Sequence, residues 1–424
     1  MSSQNALDSK NSPEVLEGSF EYGLEARHRS GMIWRSIFMF SMIVGILALT
    51  ALLLNIINQT FGYAAVTNKI DPASLAIAGV PLEQLERDQL IVVLEENVSA
   101  GLFRKLENDL PMGQRTRDDL LAIIMVEVVE PGIEKTWSLW DSLFKFPAIR
   151  AEVKERFPQS YVRFFSWLNP NFVVTPQSSD PLQAGVRTAI LGSLWTIAIT
   201  ILFSFPIGVG AAIYLEEYAR DNWINRIIRT NINNLAGVPS IIYGILGLAI
   251  FVRILEPITS GVAFGLVEDP TTANGRTILS AGMTLGLLIL PLIIINAQEA
   301  IKAVPSSLRQ ASFGLGATRW QTTWSHVLPS ALPGILTGTI LAISRAIGET
   351  APLVVVGAST FITRDPQGPF SKFTTLPIQI FQWTARPQGE FRNIAAAAII
   401  VLLVLLLTLN ATAVLLRNRY SKQL

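Results

Sequence analysis

Residues 334–356 read GILTGTILAISRAIGETAPLVVV, an apolar stretch that two charged side chains, Arg345 and Glu349, interrupt. A helix needs about 20 mainly apolar residues to cross a membrane, because the hydrocarbon layer is about 30 Å thick and each residue adds about 1.5 Å. The stretch meets this length. The sequence therefore predicts a membrane-spanning helix here with two charges in its interior.

Five further stretches are long and apolar enough to cross a membrane: 36–57, 188–214, 235–255, 279–297 and 394–416. The composition agrees, since 50% of the residues are hydrophobic and only 15% are charged, against about a quarter in soluble proteins. We therefore expect an all-α integral membrane protein with six transmembrane helices. The first stretch exceeds the apolar core of a signal peptide, so we expect a retained anchor.

The composition also excludes several classes of protein. A formal net charge of +1 excludes a nucleic-acid binder that works by bulk electrostatics. The chain has no cysteine, which excludes disulfides, thiolate metal sites and a cysteine nucleophile. Its two histidines, His28 and His326, lie in separate regions, so a multi-histidine metal site is not expected. We predict no catalytic residue, no metal and no cofactor.

The positions of Lys and Arg in the short loops predict the orientation, because cytoplasmic loops carry an excess of these residues. If the N-terminus is cytoplasmic, thirteen of them lie inside and six lie outside. Both termini are therefore predicted in the cytoplasm, as tails of residues 1–35 and 417–424. The inside residues are Lys10, Arg27, Arg29, Arg35, Arg220, Arg226, Arg229, Lys302, Arg309, Arg319, Arg417, Arg419 and Lys422.

Residues 63–180 separate the first two spans and differ from the rest in composition, with 17 acidic and 12 basic residues. This charge predicts a soluble insert, which the topology places outside the cytoplasm. Helical patterns at 82–98, 117–129 and 137–157 predict a mainly helical fold. The insert is either a cap over the core or a decoration without chemistry. The membrane core then comprises residues 181–416.

Residues 299–333, between the fourth and fifth spans, are too polar to cross a membrane. Capping boxes at Ser307 with Gln310 and at Thr318 with Gln321 predict two short helices. Gly314 and Gly316 allow a bend between them, and Pro329 and Pro333 are expected to close the segment. The loop is either a hairpin that rests on lipid, with Trp320 and Trp324 at headgroup level, or a docking site for a partner.

Arg345 and Glu349 are four residues apart, which places them on one face of the predicted helix. A charge at the bilayer centre costs about 2.5–3.5 kcal/mol on insertion scales, so both side chains should face protein or water. The pair is either an internal neutralised contact or part of a substrate pathway. In the pathway interpretation, the guanidinium of Arg345 suits a tetrahedral oxyanion, and Glu349 holds the arginine when no anion is bound.

The stretch 308–335, LRQASFGLGATRWQTTWSHVLPSALPGI, resembles the EAA loop of ABC-importer permeases. That pattern has Glu-Ala-Ala, a glycine four residues later and a terminal Ile-x-Leu-Pro. Gln310, Ala311 and Ser312 occupy the triplet, Gly316 is the glycine, and Leu328 and Pro329 end the pattern. The departures at Gln310 and Ser312 remove the acidic residue, and with it the basis for an ion pair from that position to an ATPase.

Other strings narrow the resemblance to the permeases of phosphate importers. SRAIGETAPL at 344–353 and NNLAGVPSIIYG at 233–244 resemble strings shared by both permease subunits. TTLPIQIFQW at 374–383 and the C-terminal stretch resemble the PstA type rather than the PstC type. The similarity covers spans two to six almost continuously and the first span loosely, and it does not extend to the insert.

The resemblance implies a type I importer permease fold in the bacterial inner membrane. It also implies a PstC-type permease partner, a PstB-type ATPase dimer on the cytoplasmic side, a periplasmic PstS-type binding protein, and inorganic phosphate as substrate. Residues 307–324 would transmit the motion of the ATPases. The chain has no G-x-x-x-x-G-K-[ST] motif, so ATP hydrolysis is assigned to a partner.

Three alternatives stay open. A permease for another oxyanion, such as sulfate or phosphonate, would have a similar charge pattern. A secondary transporter or channel would also accommodate six helices and a buried charged pair, although the EAA-like loop argues against it. A scaffold that reports transporter state to a signalling kinase would need no different residues and could coexist with transport.

Overall fold

The structure is a computed structural model, and it describes residues 24–77, 79–266, 274–359 and 361–421. The chain divides into two compact units, Met1–Asn55 and Ile56–Leu424. Helix α1, Leu24–Thr60, forms the described part of the first unit and continues for one turn into the second. It confirms the predicted first span. Most of the predicted N-terminal tail, with Lys10, and Lys422 in the C-terminal tail lie outside the described residues.

The insert contains a three-stranded antiparallel sheet, so the prediction of a mainly helical fold was incomplete. Strand β1 (Phe61–Asn68) follows α1 directly and lies between β2 (Pro131–Thr136) and β3 (Tyr161–Ser166). Around the sheet lie helices α2 (Arg87–Asn97), α3 (Ala100–Asp109), α4 (Arg117–Glu127), α5 (Leu139–Phe144), α6 (Phe146–Arg156) and α7 (Pro170–Val174), with 3-10 turns at Pro72–Leu75, Leu82–Gln84 and Met112–Gln114.

Two small cores stabilise the insert. Leu90 and Leu94 of α2 pack against Leu120 and Ile124 of α4, and all four side chains are fully buried. A second cluster joins Ala65 of β1 to α6. The predicted helix 137–157 is split into α5 and α6, because Lys145 leaves the helical conformation just before a proline-containing first turn.

The second unit also contains the helical core. Its helices are α8 (Arg187–Tyr218), α9 (Trp223–Ala236), α10 (Ser240–Ile254), α11 (Glu256–Thr259), α12 (Ile278–Lys302), α13 (Ser306–Gly314), α14 (Arg319–Gly348), α15 (Ala351–Val356), α16 (Leu376–Thr384) and α17 (Gly389–Ser421), with a 3-10 turn at Val262–Phe264. Five helices among the described residues are long and apolar enough to cross a membrane, or six if α9 and α10 count as one bent span.

The stretch predicted to span at 235–255 is not one straight helix in the structure. Helices α9 and α10 meet at a bend of 107°. Gly237 ends α9, and the following Pro239, which cannot continue a helix, precedes the start of α10. Helix α9 is amphipathic, whereas α10 is mainly apolar.

The predicted fifth span at 334–356 also differs from the structure. Helix α14 begins at Arg319, so the second short helix expected in the loop is the start of the span itself. Pro329 and Pro333 do not close the segment, because α14 passes through both. A π-helical turn at Thr323–Val327 precedes Pro329 and widens the helix where the proline ring would otherwise clash with the previous turn. The helix then breaks after Gly348, before α15.

Small residues and hydroxyl groups allow the core helices to pack closely. A side chain on Gly244 of α10 would lie 2.7 Å from Cα of Pro352 in α15. Thr196, Thr200 and Ser204 of α8 each donate a hydrogen bond to the carbonyl four residues earlier. These hydroxyls are satisfied within their own helix, as buried polar groups in a membrane must be.

Candidate functional site

Polar contacts join elements of the helical core at each of its two ends. At one end, Asp365 forms an ion pair with Arg187 at 2.9 Å and accepts a hydrogen bond from Thr188. Gln177, which follows the insert's last helix, accepts a hydrogen bond from the backbone of Ile362 at the same end. The insert and the 357–375 loop therefore share one side of the core. The other end holds the loop between α12 and α14.

The TTLPIQIFQW string links α16 to the start of α8. Gln379 is fully buried and donates a hydrogen bond of 2.8 Å to the carbonyl of Gly185. Trp383 is fully buried too and packs against Phe172 of α7, with ring centroids 6.1 Å apart. The string therefore fastens the core to the last helix of the insert.

The loop between α12 and α14 is a short helix followed by a tight bend. Gly316 has a φ of 82°, a conformation that side chains with a Cβ disfavour, so the predicted bend at this glycine is confirmed. The capping box of Thr318 and Gln321 is present. The box expected at Ser307 is absent, because Pro305 is the N-cap of α13 and Ser307 lies inside the helix. Gly314 is the last residue of α13.

An ion-pair network, which the sequence analysis did not predict, fixes α13 to the core. Arg309 of α13 bonds Glu217 at 2.8 Å and also donates to the carbonyls of Ile301 and Val304. The neighbouring Glu216 accepts from Arg229 and from Gln298, both at 2.8 Å. Both carboxylates are about nine-tenths buried.

Two adjacent acids at the end of an apolar span, on the side predicted to be cytoplasmic, were a signal in the sequence that could have identified this network. They lie in the π-helical turn Tyr214–Tyr218 that ends α8, next to a predicted concentration of arginines. Because paired charges in a buried setting hold their partners in a fixed geometry, Arg309 links the orientation of α13 to the ends of α8 and α12.

The outward face of the loop is apolar. Leu315 is 90% exposed, and Phe313 is also exposed. Trp320 and Trp324 are exposed and stack with ring centroids 5.4 Å apart. Of the predicted coupling residues, Gln310, Ala311 and Gly316 lie on the exposed loop, and Leu328 and Pro329 are half-buried in α14. This loop thus presents apolar surface at its tip while its base is fixed by ion pairs.

The charged pair lies where α14 breaks. Nε of Arg345 is 3.5 Å from Oε1 of Glu349, with 45% of the arginine side chain and 18% of the glutamate side chain exposed. The sequence analysis placed Glu349 on the same helical face as Arg345. In the structure, Glu349 lies just past the helix, because its backbone is extended and it is the C-cap residue. The pair nevertheless forms, since the side chains reach each other across the break.

Close packing lies behind the charged pair. Ala346 and Ile347 line a cavity of about 10 Å³ with Thr196, Leu285 and Thr375, which has room for about one water molecule. Ser344, next to Arg345, bonds Asn410 of α17 at 2.7 Å. The helix that carries Arg345 is therefore tightly packed on this side, while 45% of the Arg345 side chain stays exposed.

The break also brings two of the sequence strings together. Gly244, which ends NNLAGVPSIIYG, lies against Pro352 of SRAIGETAPL. Tyr243, beside it, packs in one apolar cluster with Ala342 and Ala346 of α14 and donates to the carbonyl of Leu235. The residues flanking the charged pair are thus fixed by α10, and a rigid backbone holds a partly exposed guanidinium at membrane depth.

The chain is similar in sequence to known membrane transport proteins. A family model described as binding-protein-dependent transport system inner membrane component matches residues 204–422. The chain is 32% identical over 262 residues to the probable ABC transporter permease protein YqgI of Bacillus subtilis (strain 168), over 58% of this chain and 83% of that protein. It is 34% identical over 230 residues to the phosphate transport system permease protein PstA of Yersinia pestis, over 54% and 71%.

Among solved structures, one of the inward-facing MetNI methionine ABC transporter matches over 58% of this chain and 99% of that chain. The two are 21% identical in sequence, with a TM-score of 0.39. The family match begins at residue 204 and so leaves out the insert.

Proposed function

Because the chain belongs to the family of binding-protein-dependent transport system inner membrane components, we propose that it is the PstA-type permease subunit of an ATP-driven importer of inorganic phosphate. The observation that carries the proposal is the 34% identity to the PstA protein of Yersinia pestis over 71% of its length. The chain forms half of the conduit. A homologous PstC-type permease forms the other half, and a periplasmic PstS-type protein delivers the anion.

The loop between α12 and α14 docks the ATPase. Its exposed apolar tip, with Leu315 and Phe313, suits a groove on a PstB-type ATPase dimer, and apolar anchors of this kind contribute most of the affinity of a helix in a groove. Arg309 transmits the movement of the docked loop to α8 and α12, because a fixed ion pair carries a displacement better than a flexible contact. ATP hydrolysis takes place in the partner.

Arg345 and Glu349 contribute to the phosphate pathway. Nearly half of the Arg345 side chain is exposed in the isolated chain at a depth where lipid is a poor neighbour for a charge. The partner permease or a water-filled path must therefore cover it. Its guanidinium offers parallel N–H donors to a phosphate oxyanion, and Glu349 retains the arginine when the anion leaves.

The termini and the docking loop are assigned to the cytoplasm, and the insert is assigned to the periplasm. The excess of Lys and Arg in the predicted inside segments supports this orientation. The Glu216 and Glu217 network lies at the same end as the docking loop, and the insert lies at the opposite end with Asp365.

Uptake by reconstituted vesicles tests the substrate and the role of Arg345. The chain with its three partner proteins should take up phosphate, and not sulfate, when ATP is present. Arg345→Gln should abolish uptake while the complex still assembles, and Arg392→Gln, an exposed arginine at the outer end of α17, should have little effect. Preferential uptake of sulfate would show that sulfate and not phosphate is the substrate. Normal uptake by Arg345→Gln would show that Arg345 is not part of the pathway.

A second experiment tests the docking loop. Gly316→Val should weaken co-purification of the ATPase at least several-fold, because a β-branched residue is strongly disfavoured at a φ of 82°. Gly314→Val is the matched control, since an added Cβ there meets no atom within 4 Å and the backbone has no positive φ. Equal binding by both variants would contradict the assignment.

A further inference from the structure

Helix α5 of the insert exposes large apolar side chains. Phe144 is 73% exposed, Leu143 is 64% exposed, and Trp140 is also exposed, as is Phe146 at the start of α6. Trp140 and Phe144 stack in nearly parallel planes, 7° apart, with centroids separated by 5.8 Å. We call Trp140, Leu143, Phe144 and Phe146 the α5 patch. A soluble domain rarely leaves so much contiguous apolar surface open to water.

The α5 patch lies beside the outer end of the first span. The backbone N–H of Trp140 donates to Oδ1 of Asn58 at 2.8 Å. Asn58 is the first residue after the apolar stretch 36–57, within the last turn of α1. Ser142 accepts a hydrogen bond from the backbone of Tyr63 at 2.8 Å, just past the same helix end. Two hydrogen bonds therefore hold α5 at the point where the chain leaves the membrane.

The depth of this point favours lipid as the neighbour of the α5 patch. The polar layer on each side of the hydrocarbon is roughly 5–7 Å thick, from the difference between the whole bilayer and its apolar core. Asn58 is one residue, or about 1.5 Å, beyond the end of the apolar stretch. A side chain bonded to that turn lies within the polar layer, where tryptophan and other aromatic residues are enriched in membrane proteins.

The polar groups of α5 suit this position too. Ser138 caps the start of the helix, and Asp141 pairs with Lys145 at 2.8 Å. Headgroups can solvate this ion pair while the aromatic rings enter the acyl boundary, as in amphipathic helices that lie in the membrane plane. The core clusters of the insert contain none of the four residues of the α5 patch.

We propose that the α5 patch lies in the interfacial layer of the membrane that α1 spans, and that it fixes the insert against the lipid headgroups. The occupant is the phospholipid surface. The inference depends on α1 crossing the membrane and does not depend on which anion is transported. It gives the insert a defined place at the membrane surface, beside Thr60 at the end of α1 and Gly62 in β1.

Spin labels can test this proposal. Because the chain contains no cysteine, a single cysteine can be introduced and labelled without first removing native cysteines. The full-length variants Leu143→Cys and Phe144→Cys are labelled in phospholipid nanodiscs. Glu96→Cys, on the exposed side of α2, is the control. Power saturation then compares access of lipid-soluble oxygen with access of a water-soluble nickel complex.

Labels at 143 and 144 should favour oxygen over nickel several-fold, and the label at 96 should favour nickel. Nickel access at 143 and 144 equal to that at 96 would overturn the proposal. Exclusion of both reagents would also overturn it, because a protein surface rather than lipid would then cover the patch.

A second measurement keeps the proposal testable if a label disturbs the helix. The double variant Leu143→Ser, Phe144→Ser should raise hydrogen exchange of α5 in nanodiscs several-fold and leave exchange of α2 and α4 unchanged. In detergent micelles without a planar headgroup layer, the difference between the variant and the original chain should shrink. An equal difference in both environments would indicate a role in folding instead of lipid contact.

Discussion

The insert and the helical core of this chain are stabilised in different ways. The insert buries leucines and isoleucines in its centre and places its ion pairs on the surface, as between Lys135 and Glu152. The core buries glycine and hydroxyl contacts, and its strongest ion pairs are the nearly buried ones of Glu216 and Glu217. Water solvates exposed charges, whereas lipid cannot, so charges near the core must find a protein partner.

This difference ranks the two regions by their sensitivity to substitution. Close backbone contacts cannot relax, so changes there should be most damaging. Nearly buried ion pairs come next, because a charge left without a partner is costly. Exposed pairs of the insert come last. Each of the following substitutions either supports that ranking or breaks it.

The largest effect is expected for Gly244→Leu. The new side chain would meet Cα of Pro352 and the side chain of Val355, and overpacking of this kind costs about 1–3 kcal/mol or more. The melting temperature of the purified chain in detergent measures the loss. Gly210→Leu is the control, because nothing lies within 4 Å of an added Cβ at Gly210. Equal melting temperatures of the two variants would show that this contact is not rigid.

The next effect is expected for Glu217→Gln. The substitution leaves the guanidinium of Arg309 without its charged partner, and a lost hydrogen bond to a charged group costs roughly 1.5–3 kcal/mol. Hydrogen exchange of α13 should rise accordingly. Glu299→Gln removes the more exposed partner of Lys302, so it should change exchange little. Similar effects for the two variants would contradict the importance of burial.

A smaller effect is expected for Glu152→Gln in the insert. The ion pair with Lys135 joins α6 to β2 at 2.6 Å, but both side chains remain partly exposed, and such pairs contribute about 0–1 kcal/mol. Thermal unfolding of the insert, followed by exchange of β2, should shift only slightly. A loss as large as that of Glu217→Gln would remove the distinction between the two regions.

The smallest effect is expected when the pH is lowered. Hydrogen bonds from Lys145 and Ser138 hold the pKa of Asp141 below its usual 3.8, and a hydrogen bond from Lys135 holds the pKa of Glu152 below its usual 4.5. A carboxyl group with a lowered pKa stabilises the fold above its unfolded value and loses that contribution as the pH falls through the folded value. Protection from exchange in α5 and α6, relative to an unfolded reference, should therefore decline below about pH 4. An unchanged protection at pH 3 would exclude these bonds as a source of stability.

Much of the helical core could be predicted from sequence. The spans at 188–214, 279–297 and 394–416 are present as long helices because their apolar length requires them to be. The bend at Gly316 and the capping box of Thr318 were also predicted, since they depend on neighbours in the chain. The two strings that resemble phosphate permeases were recognised, and the structure shows that Gly244 and Pro352 bring them into contact.

The sheet of the insert was not predicted, for physical reasons. Strand β2 begins with Pro131 and Gly132, which are poor strand residues, and β3 is largely exposed, so neither has a strong alternating pattern. They become strands because β1 pairs with both. The continuation of α14 through Pro329 likewise depended on a π-helical turn that propensity does not report. The bend before Ser240, in contrast, follows the local pair Gly237 and Pro239, which the sequence analysis did not use.

The amino-acid sequence alone determined that this chain crosses a membrane several times, carries a highly charged insert, and has a polar loop with a glycine bend and a charged pair near the end of its fifth span. These properties follow from apolar length, local charge and local backbone preference. The tertiary structure alone decided that Arg309 is held by Glu217 and that α5 lies against the end of α1. Each of these depends on contacts between residues far apart in the chain, and only folding brings those residues together.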